Sequence, residues 1–203
     1  MAPMLGLTSI SHALRRARVA ILSIAFLYTL SLLVGTTMVQ TGYQPALAYR
    51  DYIVSNAQSD STLVALNSGN RLGAALRDFY GNLVLGAVPN TLGGLGVIFP
   101  YPFVAYRGWI GGIVSVNNAH VSRLATFSGA FYYLTTLVLQ LLPYSLATGA
   151  GVNLGLSLWR KQTYYDGERW LGFPREAVLD VLRIYALIVP LFLVASLWEF
   201  LAV

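Results

Sequence analysis

The run from Val19 to Val39 carries no charged residue, and Arg15, Arg16 and Arg18 stand directly before it. A helix needs about 20 consecutive apolar residues to cross the hydrocarbon core of a bilayer. Lipid offers no partner for backbone N–H and C=O groups, so a run of this kind can be satisfied there only as helix. The rest of the chain points the same way. Of its 203 residues, 56% are hydrophobic and 10% charged, with a mean hydropathy of +0.62. A soluble domain carries about 25% charged residues, so this chain cannot cover itself with a polar surface. The expected fold class is all-α: a polytopic transmembrane helical bundle of about five spans, with broken or re-entrant helices around residues 100–118 and 143.

A basic flank before an apolar run is also how a secretory signal begins, and Ala46-Leu47-Ala48 has the small-x-small form of a cleavage site. The apolar run is longer than the usual stretch of roughly 7–15 residues, and the triplet lies well beyond its end. A retained first span over 19–39 is expected, with 1–18 as a cytoplasmic N-terminal segment.

The stretch Gln140 to Arg160 (QLLPYSLATGAGVNLGLSLWR) is apolar yet full of residues too small to fill a lipid-facing surface. Ala147, Gly151 and Gly155 form one stripe at helical spacing, and Ser145, Gly149, Asn153 and Ser157 form another. Spacing of four keeps each stripe on one face, where a neighbouring helix can approach the backbone closely. Pro143 at its head predicts a kink or break in any helix arriving from upstream.

Between the first span and this hub the chain changes character twice. Residues 40–80 are polar enough to be an extracytoplasmic segment, with a short amphipathic helix over 45–54, a loop at 56–61 and a helical pattern over 63–79. Such a segment is expected to lie on the membrane surface or cap the bundle. Residues 82–100 read as a second span in which Asn82, Gly86, Asn90 and Gly94 fall four apart on one face. Asparagine in hydrocarbon needs a hydrogen-bond partner, so this face should look inward. The aromatic and proline-rich 99–103 suits an interfacial turn, and 107–118 is too short to cross alone. The bundle is taken to extend over 81–203, with a basic cytoplasmic loop at 160–183 and a last span over 184–203 that carries Pro190 and Glu199. Both basic regions on one side require an even number of crossings between them. Either 107–118 is re-entrant and 124–159 crosses twice, or 107–118 crosses and 124–159 is one long broken span.

No catalytic signature is present, neither H-E-x-x-H nor G-x-S-x-G nor a phosphate-binding loop. The absence of cysteine removes thiolate catalysis and thiolate metal sites. His12 and His120 read as interfacial polar residues rather than metal ligands, and the Gly149-Ala150-Gly151 match lies inside an apolar run. No catalytic, cofactor-binding or metal-binding residue is assigned, and no cofactor is expected. The net charge of +5 reflects basic residues beside apolar spans, which points to lipid and topology rather than nucleic acid. The candidate interaction residues are Asn82, Gly86, Asn90, Gly94, Gly149, Gly151, Asn153 and Gly155. Asn82 and Asn90 read as hydrogen-bonded contacts between helices, since no intramembrane charge accompanies them at mid-span, with Asn153 as a partner for one of them. Glu199 is a possible functional carboxylate, because an ionisable residue in an apolar span is a functional candidate by default.

Three features together resemble the stage II sporulation protein M family of integral membrane proteins: an Asn- and Gly-rich span (NLVLGAVPNTLGGLGVIFP), a span opening with proline and continuing into small residues (LPYSLATGAGVNLGLSLW), and a final span of the form PLFLVASLWEF. The resemblance covers about 79–203. Where the family commonly shows Pro-His-Gly followed by Glu, this chain has Pro143, Tyr144, Ser145 and then Thr148. The resemblance implies a roughly five-span membrane protein without enzymatic chemistry, acting as a scaffold that positions partner proteins.

Two functional readings follow. One is a non-enzymatic membrane scaffold or accessory subunit in a cell membrane, N-terminus cytoplasmic, that binds other membrane proteins, a larger complex or copies of itself through small-residue helix faces. The other is a permease-type subunit of a transporter with a polar, Asn-lined pathway. A water-filled cavity reaching Asn90 separates the second from the first.

Overall fold

A computed structural model describes residues 6–159, 165 and 167–202. The described residues form an all-α bundle: α1 (Leu7–Gln40), α2 (Gln44–Ala57), α3 (Ser61–Asn67), α4 (Arg71–Tyr80), a π-helical segment (Gly81–Ala87), α5 (Val88–Gly94), α6 (Pro100–Ile113), α7 (Phe127–Trp159) and α8 (Arg175–Leu201). A two-stranded ribbon, Arg169–Trp170 with Phe173–Pro174, precedes α8. Arg160 and Lys161 of the expected basic loop lie outside the described residues.

Among the described residues three helices, not five, are long and apolar enough to cross a membrane: α1 with 34 residues, α7 with 33 and α8 with 27. At 1.5 Å per residue, α1 is about 51 Å long and exceeds a hydrocarbon core of about 30 Å. The other expected spans are replaced by a hairpin of shorter helices. Its first arm is α4, the π-helical segment and α5, of 10, 7 and 7 residues in turn. The chain then reverses over 95–99, where Val97 takes a positive φ of 58°, and returns as the 14 residues of α6. The aromatic and proline-rich 99–103 is therefore not a free turn. Pro100 and Pro102 begin α6, where a missing N–H costs nothing because the first turn has no intrahelical acceptor to use it.

Contacts between named residues fix the directions. Tyr101 on α6 bonds Ser23 on α1, Gly108 faces the Tyr28 carbonyl, and Gly112 faces Leu32 and Thr36, so α6 runs parallel to α1. Thr91 meets Ala147 and Leu95 meets Gly155, so the first arm runs parallel to α7. Tyr144 stacks edge-on against Phe192, with centroids 4.8 Å apart, while Tyr132 reaches Glu199, so α7 and α8 are antiparallel.

Pro143 does not break α7, which continues through it to Trp159. A proline within a helix forfeits a backbone bond. Here Pro143 is buried among neighbouring helices, and tertiary packing holds the helix on both sides of it. Helix α8 likewise continues through Pro190. The continuous α7 makes 127–159 one helix rather than two separate crossings.

Glycine faces set the spacing. A Cβ on Gly94 would stand 2.6 Å from the backbone of Gly151 and Val152, and one on Gly151 would overlap the Thr91 carbonyl. Gly155 faces Leu95 and Gly149 faces Ile21 of α1, so α7 is held on two sides. Gly108 and Gly112 make a further close contact, with α1 around Gly35.

One end of the bundle is closed by an ion cluster. Arg16 donates two bonds to Asp180, at 2.6 and 2.5 Å, and a third to Glu176 at 3.1 Å. Arg183 bonds both carboxylates, and Asp180 is 1% exposed. Tyr165 donates to Asp180 at 2.9 Å, and Asn153 donates to Tyr165 at 2.7 Å. Two cations face two anions, and the surrounding donors occupy the remaining lone pairs, which is what a buried ion pair requires. Arg16 and α8 thus meet at the same end of the molecule. At the other end, α2 packs Ala46 and Leu47, members of the small-x-small triplet, against Val39 and Ile113. Arg50 and His120 bond Asp51 there, and the Arg50 bond holds that carboxyl below its ordinary range.

Gly151→Leu is expected to cost more than the ~1–3 kcal/mol of ordinary overpacking, because backbone rather than a mobile side chain stands in the way. Thermal denaturation in detergent should show its loss, whereas Gly93→Ala, with nothing within 4 Å of the added Cβ, should melt as the parent does. Asp180→Ala removes the buried carboxylate that Arg16 and Arg183 share. A loss of roughly 3–5 kcal/mol is expected, read as a lowered melting temperature. An unchanged melt would mean that the cluster is solvated.

Candidate polar cavity between the hairpin arms

The asparagine stripe does have a charge beside it. Arg107 lies on α6, one residue before Gly108, which packs on the middle of α1 at Tyr28. Its guanidinium carbon sits 3.7 Å from the ring centroid of Tyr144, near the middle of α7. Arg107 is thus at mid-depth, although in the sequence it looks like the flank of a short apolar segment. The hairpin moves it inward: α6 begins seven residues before it, at Pro100.

Tyr144 connects the cation to the first arm. Its hydroxyl donates to Asn82 Oδ1 at 2.6 Å, and Asn82 Nδ2 donates to Asp78 Oδ2 at 2.8 Å. Ser196 on α8 donates to the same oxygen at 2.6 Å. One chain of bonds therefore joins α7, the π-helical segment, α4 and α8. Gly86 is required by the same arrangement, since a Cβ there would meet the Tyr144 hydroxyl. A π-helical segment widens the helix by one residue per turn and is found often at functional sites. Here it carries both Asn82 and Gly86.

Two open cavities meet at Arg107. The deeper one, of about 390 Å³, is lined by Gly86, Asn90, Arg107, Tyr106, Leu85 and Phe103 among others. The second, of about 450 Å³, extends from Arg107, Asn82 and Gly86 past Asp78 and Glu199 to Asp60 and Arg77 on the α3–α4 cap. They share Leu85, Gly86 and Arg107, so the polar lining runs from the cap to Asn90. The arms of the hairpin stand apart at the deeper cavity, and its rim is apolar. Leu85 and Phe103 are each 70% exposed.

The remaining candidates are placed as follows. Asn82 bonds Asp78 and Tyr144 rather than another asparagine. Asn90 borders the deeper cavity. Asn153 partners neither of them, because α7 carries it to the ion cluster at the far end, where it bonds Tyr165. Gly94, Gly149, Gly151 and Gly155 lie at the helix contacts described above. Glu199 accepts from Gln140 Nε2 at 3.2 Å and approaches neither His120, which bonds Asp51, nor an arginine within ion-pair distance. It borders the second cavity and also a smaller one with Arg123, Tyr132 and Thr136.

Sequence reasoning missed Arg107, Asp78 and Tyr144 as a set. The spacing of Gly108 and Gly112 was a usable signal, since two glycines four apart mark a helix face that packs closely. Such a face sets the helix against a neighbour and so holds Arg107, itself half-buried, at the depth of that contact.

The described residues form a helical assembly with buried polar groups and ion pairs, built on helices fit to cross a membrane more than once. Comparison with known proteins finds no match, whether to a family model, a curated protein or a solved structure.

Proposed function

We propose that the protein is a permease-type membrane subunit whose hairpin cavity admits a polar solute from the side of the α3–α4 cap. The observation that carries this reading is the polar cavity reaching Asn90 at mid-depth, with Arg107 at the junction of its two parts. Short, interrupted helices that meet at mid-membrane are a recurrent way to build a solute site, because irregular backbone is tolerated where it lines a cavity. The end bearing Arg16 and the ribbon before α8 is the cytoplasmic one in this reading, by the excess of basic residues there.

A scaffold role, as the resemblance to the stage II sporulation protein M family implies, drew its weight from small-residue faces free to bind partners. Those faces are filled from within: α1 and α5 lie on the two stripes of α7, and α1 lies on that of α6.

The chain has no cysteine, so single thiols can be introduced without background. In proteoliposomes, Asn90→Cys should react with a membrane-impermeant maleimide added from the cap side. Ile24→Cys, at a fully buried position, should react only after denaturation. Equal protection of both thiols would mean a dry, packed face at Asn90 and would end the permease reading in favour of the scaffold.

A further inference from the structure

We propose that the deeper cavity is an oxyanion site, in which Arg107 receives a phosphate or carboxylate group. The inference rests on the cavity being open, as the preceding section holds. Among the residues lining that cavity, Arg107 is the single charged one, and its charge is positive. It forms no ion pair with any described residue. The nearby carboxylate of Asp78 accepts from Asn82 and Ser196, and Glu199 accepts from Gln140. The ring of Tyr144 covers one face of the guanidinium. A stacked face leaves the in-plane N–H edge available, and that edge is the part of arginine that matches an oxyanion with two parallel bonds.

The surroundings suit the same ligand. Asn90 borders the cavity with an amide that bonds no described residue, so its N–H₂ can donate. Gly86 borders the cavity with Arg107 and adds no side chain to it. A charge at the centre of a bilayer is costly, and cation–π stacking returns only part of that cost. An anion beside the guanidinium supplies the remainder. The second cavity, bordered by Asp60, Asp78 and Glu199 against Arg77 and Arg107, is not the place for it, because its acidic groups outnumber the basic ones.

Two sources supply such a group. A free anion would enter along the polar lining from the cap. A lipid headgroup would enter between the hairpin arms, past Leu85 and Phe103, leaving its acyl chains against the apolar rim.

Leu85→Cys provides the reporter, since Leu85 borders both cavities and contributes no polar group. Its maleimide reaction is followed in vesicles of phosphatidylcholine alone, the same vesicles with inorganic phosphate or acetate, and vesicles containing phosphatidylglycerol. Slowing by roughly tenfold, the equivalent of about 1.4 kcal/mol, by added phosphate or acetate supports a free anion. Slowing only with phosphatidylglycerol supports a headgroup. In either case Arg107→Gln should abolish the effect and Arg107→Lys should keep part of it, as a point charge without the planar fork. Size-exclusion profiles identify any variant that fails to fold, and the lysine variant then carries the test. Labelling that is brisk and indifferent to every anion overturns the oxyanion site while leaving the open cavity standing. Labelling absent at both 85 and 90 removes the cavity, and the site with it.

Discussion

The backbone contact between α5 and α7 is the constraint on which the rest of the molecule depends. Gly94 faces Gly151, and the carbonyls of Thr91 and Leu95 lie where side chains on Gly151 and Gly155 would stand. The second arm, α6, has 14 residues and is too short to cross a bilayer alone, so α1 must hold it at depth, while α7 holds the first arm. Lipid supplies no hydrophobic drive between helices, and close packing of small residues takes its place. Thr91 adds a hydroxyl bonded to the Ala147 carbonyl and to Tyr185, which joins α8 to the same contact. With both arms anchored, α6 is placed parallel to α1 and its seventh residue past Pro100 arrives at mid-depth.

Charge is handled differently at the two levels of the bundle. At the Arg16 end, two arginines and two carboxylates neutralise one another, with Tyr165 donating to Asp180 and Asn153 donating to Tyr165. That arrangement locks α1 to α8. At mid-depth, Arg107 is met by an aromatic face and a cavity, while the adjacent carboxylates are already bonded elsewhere. The first cluster closes a structure. The second leaves a cation beside an open cavity, which is what the proposed oxyanion site requires.

Much of the architecture was legible in the residues. The uncharged run after Arg18 is helical in full, α2 through α4 fall within the segment expected to cap the bundle, and the small-residue stripes of 145–157 are where α7 meets its neighbours. The misreadings have a common physical origin. Pro143 was expected to interrupt a helix, and by intrinsic preference it would, but packing on both sides outweighs one lost backbone bond. Asn153 was paired with the asparagines of the first arm because all three are polar in an apolar setting. On α7, however, Asn153 lies nine residues past Tyr144, which meets Asn82, and so belongs to another level. Arg107 stands at the head of the short apolar stretch 107–118, and nothing local to it shows the aromatic ring and cavity that it meets.

The sequence by itself determined that this chain is helical, that it belongs in a bilayer, and which faces of its helices are narrow. Each of these follows from local periodicity and composition, which a residue carries wherever it is placed. Only the tertiary structure decided which narrow faces meet, that two expected spans become a hairpin of broken helices, and that Arg107, Tyr144, Asn82 and Asp78 converge. Those outcomes depend on contacts between segments far apart in the chain. No window of sequence contains them, because helical periodicity specifies a face without specifying what will cover it.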